Sequence, residues 1–243
     1  MGIAENVALV KANIARAAEA SGRRPEDVLL VAATKMNDSA RVREAIAAGV
    51  DICGENRVQE LIEKNAQHAY DGVPLHFIGH LQKNKVKNVV GTVQLIQSAD
   101  SISLLEAIDK CALAKGIVQD VLLEVNVGRE ASKSGFFEEE IPSALLRAAS
   151  FENIKVRGLM AIPPICAFPQ KNYVFFQTMK HLFIDNGAKK YDNVSMDFLS
   201  MGMSGDYIEA VECGANMVRV GSAIFGPRVY PEKNTAISLE AKP

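Results

Sequence analysis

The chain has 243 residues, 48% of them hydrophobic and 23% charged, with 27 basic against 29 acidic side chains and a formal net charge of −2. That length is ample for a sizeable core and normal for one α/β barrel. The balanced charge, without a polybasic block, gives no handle for nucleic acid or an anionic membrane, and no apolar span is long enough to cross a bilayer.

In MGIAENVALVKANIARAAEA, Val7, Val10, Ile14 and Ala17 recur at helical spacing, while Glu5, Asn6, Lys11 and Arg16 interrupt the apolar residues. The segment reads as an amphipathic helix, not a signal peptide. Apolar strand-like runs then follow at 27–35, 50–56, 75–80, 93–100, 120–128, 154–162, 195–202 and 216–224. Between them lie stretches with apolar residues three and four apart, including DSARVREAIAAG, RVQELIEKNAQ and ISLLEAIDKCALAKG. Gly49, Gly116, Gly187 and Gly214 close four of these, as helix C-caps do. Regular alternation implies parallel strands joined by right-handed crossovers. About eight such units predict a (β/α)8 TIM barrel with an extra N-terminal helix, a single domain over 1–243. An open doubly wound sheet is the second choice.

In such a barrel, function gathers at the C-terminal ends of the strands. The first run, DVLLVAATK, ends on Lys35. A lysine there can simply snorkel to solvent. If its stem starts inside the barrel mouth, desolvation favours the neutral amine, which is the Schiff-base nucleophile. Ser200, Gly202, Ser204 and Gly205 follow the seventh strand, and Gly221 and Ser222 follow the eighth. Each group alone could be an ordinary turn. Together they fall on the two loops where this barrel recurrently binds phosphate, with a helix start offered to the anion. A lysine and a phosphate cradle on one face fit a Schiff-base aldolase or a pyridoxal phosphate protein. Arg219, between apolar neighbours in MVRVG, either points inward toward a cofactor ring or pairs outward with a helix.

The segments VAATK, GENRVQE, LHFIGHLQKNK, NVGREASKSG, VRGLMAIPP and FLSMGMSGDYIEAVECGANMVRVGSAIFGPR resemble the YggS/PROSC family of pyridoxal phosphate homeostasis proteins over almost the whole chain. The resemblance implies a fold similar to the barrel domain of alanine racemase, with pyridoxal 5'-phosphate held as an aldimine on Lys35. It implies that Arg219 faces the pyridine nitrogen, that Ser204, Gly221 and Ser222 hold the phosphate, and that Ser200 and Asn56 line the site. PPICAFPQKNY departs from the family pattern, which is more acidic there.

An arginine at the ring nitrogen disfavours its protonation and makes the ring a poorer electron sink. Alanine racemase works with such an arginine, but with a second domain that supplies a tyrosine base and closes the site. Here the final run is followed only by the largely polar RVYPEKNTAISLEAKP, so a lidless, wet barrel mouth is expected. The favoured reading is a carrier that buffers or delivers the cofactor without robust catalysis. An amino-acid racemase of low activity comes next, and a cofactor-free aldolase last. Lys133, in REASKSG, is either a solvated loop lysine or a second amine near the cofactor. His76 and His80, four apart, are expected on one strand face, without a third metal ligand. Cys53, Cys111, Cys166 and Cys213 are widely spaced and read as reduced thiols. Met201 and Met203 read as packing residues, and the lysines of KNKVKNVV as a solvated helix face. A cytoplasmic monomer is expected, with apo pyridoxal phosphate enzymes as candidate partners.

Overall fold

The computed structural model describes residues 2–164, 172–188 and 191–227. Cys166, most of the stretch PPICAFPQKNY that departs from the family pattern, and the polar tail from Arg228 lie outside the described residues.

The elements alternate as the hydrophobic pattern requires. They are α1 (Ile3–Ala20), β1 (Leu29–Ala33), α2 (Ser39–Ala47), β2 (Ile52–Glu55), α3 (Val58–Ala66), β3 (Leu75–Phe77), β4 (Leu95–Ala99), α4 (Ile102–Lys115) and β5 (Gln119–Val125). Then come α5 (Ile141–Ala148), β6 (Ile154–Ala161), α6 (Tyr173–Gly187), β7 (Val194–Ser200), α7 (Tyr207–Glu212), β8 (Met217–Val220) and α8 (Ser222–Phe225). All eight strands are parallel and close into one barrel in chain order, with β8 pairing back onto β1 through Leu29↔Met217 and Val31↔Arg219. This is the expected (β/α)8 barrel with an added N-terminal helix.

The apolar run of β1 shows why the barrel forms. Leu30, Val31 and Ala32 are all fully buried, but on opposite sides of the sheet. Leu30 and Ala32 pack outward under the helices, while Val31 points into the barrel with Ile52, Leu95, Leu122, Met160 and Met217. A strand covered on both faces must be apolar at successive positions, because side chains alternate across the sheet. Each fully buried side chain of the Leu or Val class contributes about 1.5–3 kcal/mol. Helix α1 buries the expected stripe of Val7, Val10, Ile14 and Ala17, extended by Ile3 and Ala18. It also touches the functional end of the chain, since Asn6 Nδ2 donates to the Ile224 carbonyl at 2.8 Å.

Several local expectations need correction. The eighth run, expected as strand over 216–224, stops at Val220, and Ser222–Phe225 turns helical. The lysine-rich stretch after β3 is not an α-helix but a 3-10 helix, Lys83–Asn88, in which Val86 alone is buried. It lacks the apolar stripe that sustains an amphipathic α-helix. Gly116 caps α4 with left-handed geometry, and Gly49 and Gly214 have positive φ just beyond α2 and α7. Gly187, in contrast, is the last residue of α6, and Ala188 is its cap.

Candidate cofactor site

The barrel interior changes character toward the C-terminal strand ends. Two residues beyond the floor residues Leu95 and Met217 come Gln97 and Arg219, both buried. Arg219 Nη1 donates to Ser200 Oγ at 2.6 Å, Ser200 Oγ donates to Gln97 Oε1 at 2.7 Å, and Gln97 Nε2 lies 3.0 Å from His76 Nδ1. Nη2 of Arg219 donates to the Ala161 carbonyl at 2.9 Å. All donors run one way, so the bonds polarise one another. Arg219 therefore points inward, not toward a surface ion pair. Burial pulls its guanidinium down to about 10, against the opposing charges of Glu124 and Asp206. It remains a cation at neutral pH, fixed by two partners that carry no formal charge. Ser200, expected to line the site, is the bracket that orients Arg219.

His76 accepts from Gln97 and is held neutral, burial lowering it to about 4. His80 does not share its face. Strand β3 ends at Phe77, and His80 is exposed beyond it, 3.0 Å from Asp100. Between them, the chain passes so close to β2 that a Cβ at Gly79 would lie 2.1 Å from the Asn56 carbonyl oxygen. The buried neutral histidine gives a pH prediction. The unfolded chain binds a proton at His76 near pH 6.5, and the folded chain only near 4. Between those values the unfolded state holds more protons, so stability falls as acid is added, by up to about 1.4 kcal/mol per pH unit. Denaturant unfolding across that window should show the slope, and His76→Gln should flatten it. An equal slope in both proteins would refute the assignment.

Lys35 lies just past β1, half-buried, on a cavity of about 310 Å³ whose wall also includes Met36, Asn37, Arg41, Gly221 and Ser222. Gly221 and Ser222 are thus brought beside Lys35 by the β1–β8 pairing that closes the barrel. Ser204, from the loop after β7, stands behind them, its Oγ accepting from the Gly221 and Ala223 amides at 3.1 and 3.2 Å. A hydroxyl that accepts two bonds has its own proton left to donate, which suits a phosphate oxygen. Asn56, just past β2, lines a second cavity with Arg57, His80 and Lys85, and its Oδ1 is buried without a hydrogen-bond partner. Lys133 Nζ pairs with Glu130 and donates to the Ile162 and Pro163 carbonyls at 3.2 and 3.1 Å. Two hydrogen bonds and an ion pair thus hold the ammonium, and Lys133 must release them before it can act as a second amine.

Two further features escaped the sequence reading. Glu124, on β5, sits deep enough that burial, reinforced by Asp100 and opposed by Arg219 and Lys133, raises its carboxyl to about 7. Glu55, fully buried at the end of β2, accepts from Lys64 Nζ at 2.8 Å, Thr34 Oγ1 at 3.0 Å and Tyr70 OH at 3.2 Å. The signal for both was a single carboxylate inside an apolar strand run, as in ICGEN and LLEVNVG. Cys53, Cys111 and Cys213 are free thiols, and burial, with the charge of Glu55, pushes Cys53 up to about 12. Among the described residues, no cluster of three or more His, Cys, Asp or Glu could hold a metal ion, and no helix is long and apolar enough to cross a membrane.

Fold and site define a parallel barrel of the alanine racemase type, and the family model for the alanine racemase N-terminal domain matches residues 6–229. The chain belongs to the family of pyridoxal phosphate homeostasis proteins. The curated protein of that name from Aquifex aeolicus is 40% identical over 230 residues, 95% of this chain and 100% of the relative. Two solved structures are also similar. One is an unknown protein from Bifidobacterium adolescentis, at TM-score 0.83 and 37% identity, covering 92% of this chain and 94% of that one. The other is PipY of Synechococcus elongatus PCC7942 with PLP bound, at TM-score 0.79 and 30% identity, covering 92% of this chain and 100% of that one.

The residues present fit that cofactor. A lysine amine, two serine hydroxyls and a glycine backbone share one strand-end region, and β8, which carries the glycine at its end, also carries a buried cation, Arg219. Asn56 Oδ1 adds a buried acceptor with no partner of its own.

Proposed function

We propose that the protein binds pyridoxal 5'-phosphate through Lys35 and serves its intracellular homeostasis, buffering the cofactor or delivering it to apo-enzymes without robust turnover of its own. The observation that carries this is the shared cavity of Lys35, Gly221 and Ser222 on the closed barrel. The name of the Aquifex relative and the PLP-bound PipY structure support it. Lys35 would hold the cofactor through its side-chain nitrogen, and Ser204, Gly221 and Ser222 would hold its phosphate. The bound cofactor supplies an electrophilic carbon and an electron sink.

The chain's own residues favour exchange over chemistry. Arg219 stays cationic inside the barrel and would disfavour a proton on a ring nitrogen facing it, which would weaken the sink. The cavity rim includes the exposed Met36, Ser222 and Pro227, so water and other amines reach Lys35. The alternative, an amino-acid racemase of low activity, draws on Glu124, whose proton is available near neutral pH beside Arg219. We read the protein as a cytoplasmic monomer, placed where it meets the enzymes it loads.

Protein loaded with pyridoxal phosphate should show a visible band, fix the cofactor under borohydride, and transfer it to an added apo-enzyme. A racemisation kcat in the ordinary range of roughly 1–10³ s⁻¹ would overturn the carrier reading. The cradle has its own test. Hydrogen bonds to a charged phosphate are worth about 1.5–3 kcal/mol each. Ser204→Ala or Ser222→Ala should therefore weaken cofactor affinity about ten- to a hundredfold. Unchanged affinity in both variants would refute the cradle.

A further inference from the structure

Lys35 sits between two peptide groups that are gripped by one ionic network. On its N-terminal side, the Thr34 carbonyl accepts from Lys64 Nζ at 2.8 Å and from the Asn37 amide at 3.2 Å. On its C-terminal side, the Met36 amide donates to Glu60 Oε2 at 2.7 Å. The same Glu60 oxygen accepts from Lys64 Nζ at 2.9 Å, and Lys64 reaches Glu55 Oε2 at 2.8 Å. All three protons of the Lys64 ammonium are thereby engaged. The carbonyl of Lys35 itself accepts from Asn37 Nδ2 at 3.0 Å.

This arrangement is more than a helix-to-barrel fastening. Lys64 and Glu60 lie on α3, and their shared contacts converge on the two residues that flank Lys35. Met36 adopts a φ of +59°, a left-handed conformation that L side chains resist, so something must hold the chain there. Burying a cation and a carboxylate is expensive compared with an apolar contact, and such networks persist where geometry matters more than stability. Glu60 shows the balance: burial alone raises its carboxyl, but the Lys64 and Met36 hydrogen bonds, with the charge of Lys64, hold it below the usual range.

We propose that Glu60 and Lys64, anchored on Glu55, are positioning residues that fix the backbone on both sides of Lys35 and so aim its side chain into the cavity facing Gly221 and Ser222. The proposal rests on Lys35 being the attachment site. It extends that reading from the lysine to the helix behind it, which does not line the Lys35 cavity.

The test uses the loaded full chain and two conservative variants. Glu60→Gln keeps the size and an acceptor oxygen but removes the negative charge that holds the Lys64 ammonium and the Met36 amide. Lys64→Arg keeps the charge but cannot place a single nitrogen on three oxygens. Each should bind inorganic phosphate as the parent does, because the cradle is untouched. Each should lose pyridoxal phosphate affinity by about tenfold or more, trap more slowly with borohydride, and shift the pH midpoint of the visible band. A purely structural role would lower the melting temperature and phosphate affinity together, and that result overturns the proposal. So does parental affinity with a parental pH profile in either folded variant. Peptide mapping of the trapped parent keeps the two ideas apart: an adduct away from Lys35 sinks the attachment assignment itself, whatever the variants do.

Discussion

Replacing Lys35 by alanine should give a folded barrel that no longer holds its cofactor covalently. Lys35 lies just past the end of β1, and its side chain is only half-buried on the cavity wall. Removing the side chain leaves the apolar β1 run, the Val31 contact with the barrel floor and the β1–β8 pairing in place. The stability change should therefore stay within about 0.5 kcal/mol, as for most substitutions outside the core. The optical consequence is total: without that amine the visible band and the borohydride adduct both disappear. Ser204, Ser222 and the α8 amides remain, so noncovalent binding through phosphate should survive and be measurable by calorimetry. A persisting adduct on another lysine of the purified variant would remove Lys35 as the sole attachment point. Lys133 is the lysine to examine first, because its loop reaches over the strand ends to the Ile162 and Pro163 carbonyls.

The barrel was legible because its strands are apolar on both faces, a pattern that survives without knowing any partner. Lys35, Gly221 and Ser222 were legible by position, each lying within two residues of the end of such a run. Glu55, Lys64 and Gln97 were not, for a common reason. Their meaning lies in partners far along the chain: Lys64 to Thr34 spans 30 residues and Gln97 to Ser200 spans 103. Local periodicity carries no information about such pairs. Lys64 in particular reads as a surface helix lysine, and only the packing of α3 over Thr34 and Glu55 buries it. The pairing of His76 with His80 failed differently. The spacing rule was sound, but it assumed a strand that continues to residue 80, and the close approach of Gly79 to the Asn56 carbonyl lies beyond where β3 has stopped. Asn56 was placed at the correct strand end, where it lines a second cavity with Arg57, His80 and Lys85.

The largest stability effect should come from Lys64→Met. The ammonium of Lys64 is 8% exposed and faces Glu55, which is fully buried, and Glu60. Methionine fills much the same volume but leaves the buried Glu55 without its cation, and Glu60 with only the more exposed Arg57. Breaking one side of a buried ion pair costs about 3–5 kcal/mol, because the remaining charge stays desolvated. That is a large fraction of the total stability of an ordinary domain. The partners left behind make the loss specific. Glu55 Oε2 keeps only Thr34 Oγ1 and Tyr70 OH, and the Thr34 carbonyl keeps only the Asn37 amide. Two consequences separate this account from a simple packing defect. Mild acid should recover part of the loss in Lys64→Met, since a proton on either carboxylate removes the uncompensated charge. Adding Glu55→Gln to Lys64→Met should cost less than the two single losses summed, because the residues share one interaction. Denaturant unfolding of the four proteins at two pH values measures both. Additive losses with no acid recovery would mean that Lys64 acts through its methylene stem, and the ionic clamp around Thr34 and Met36 would lose its energetic basis.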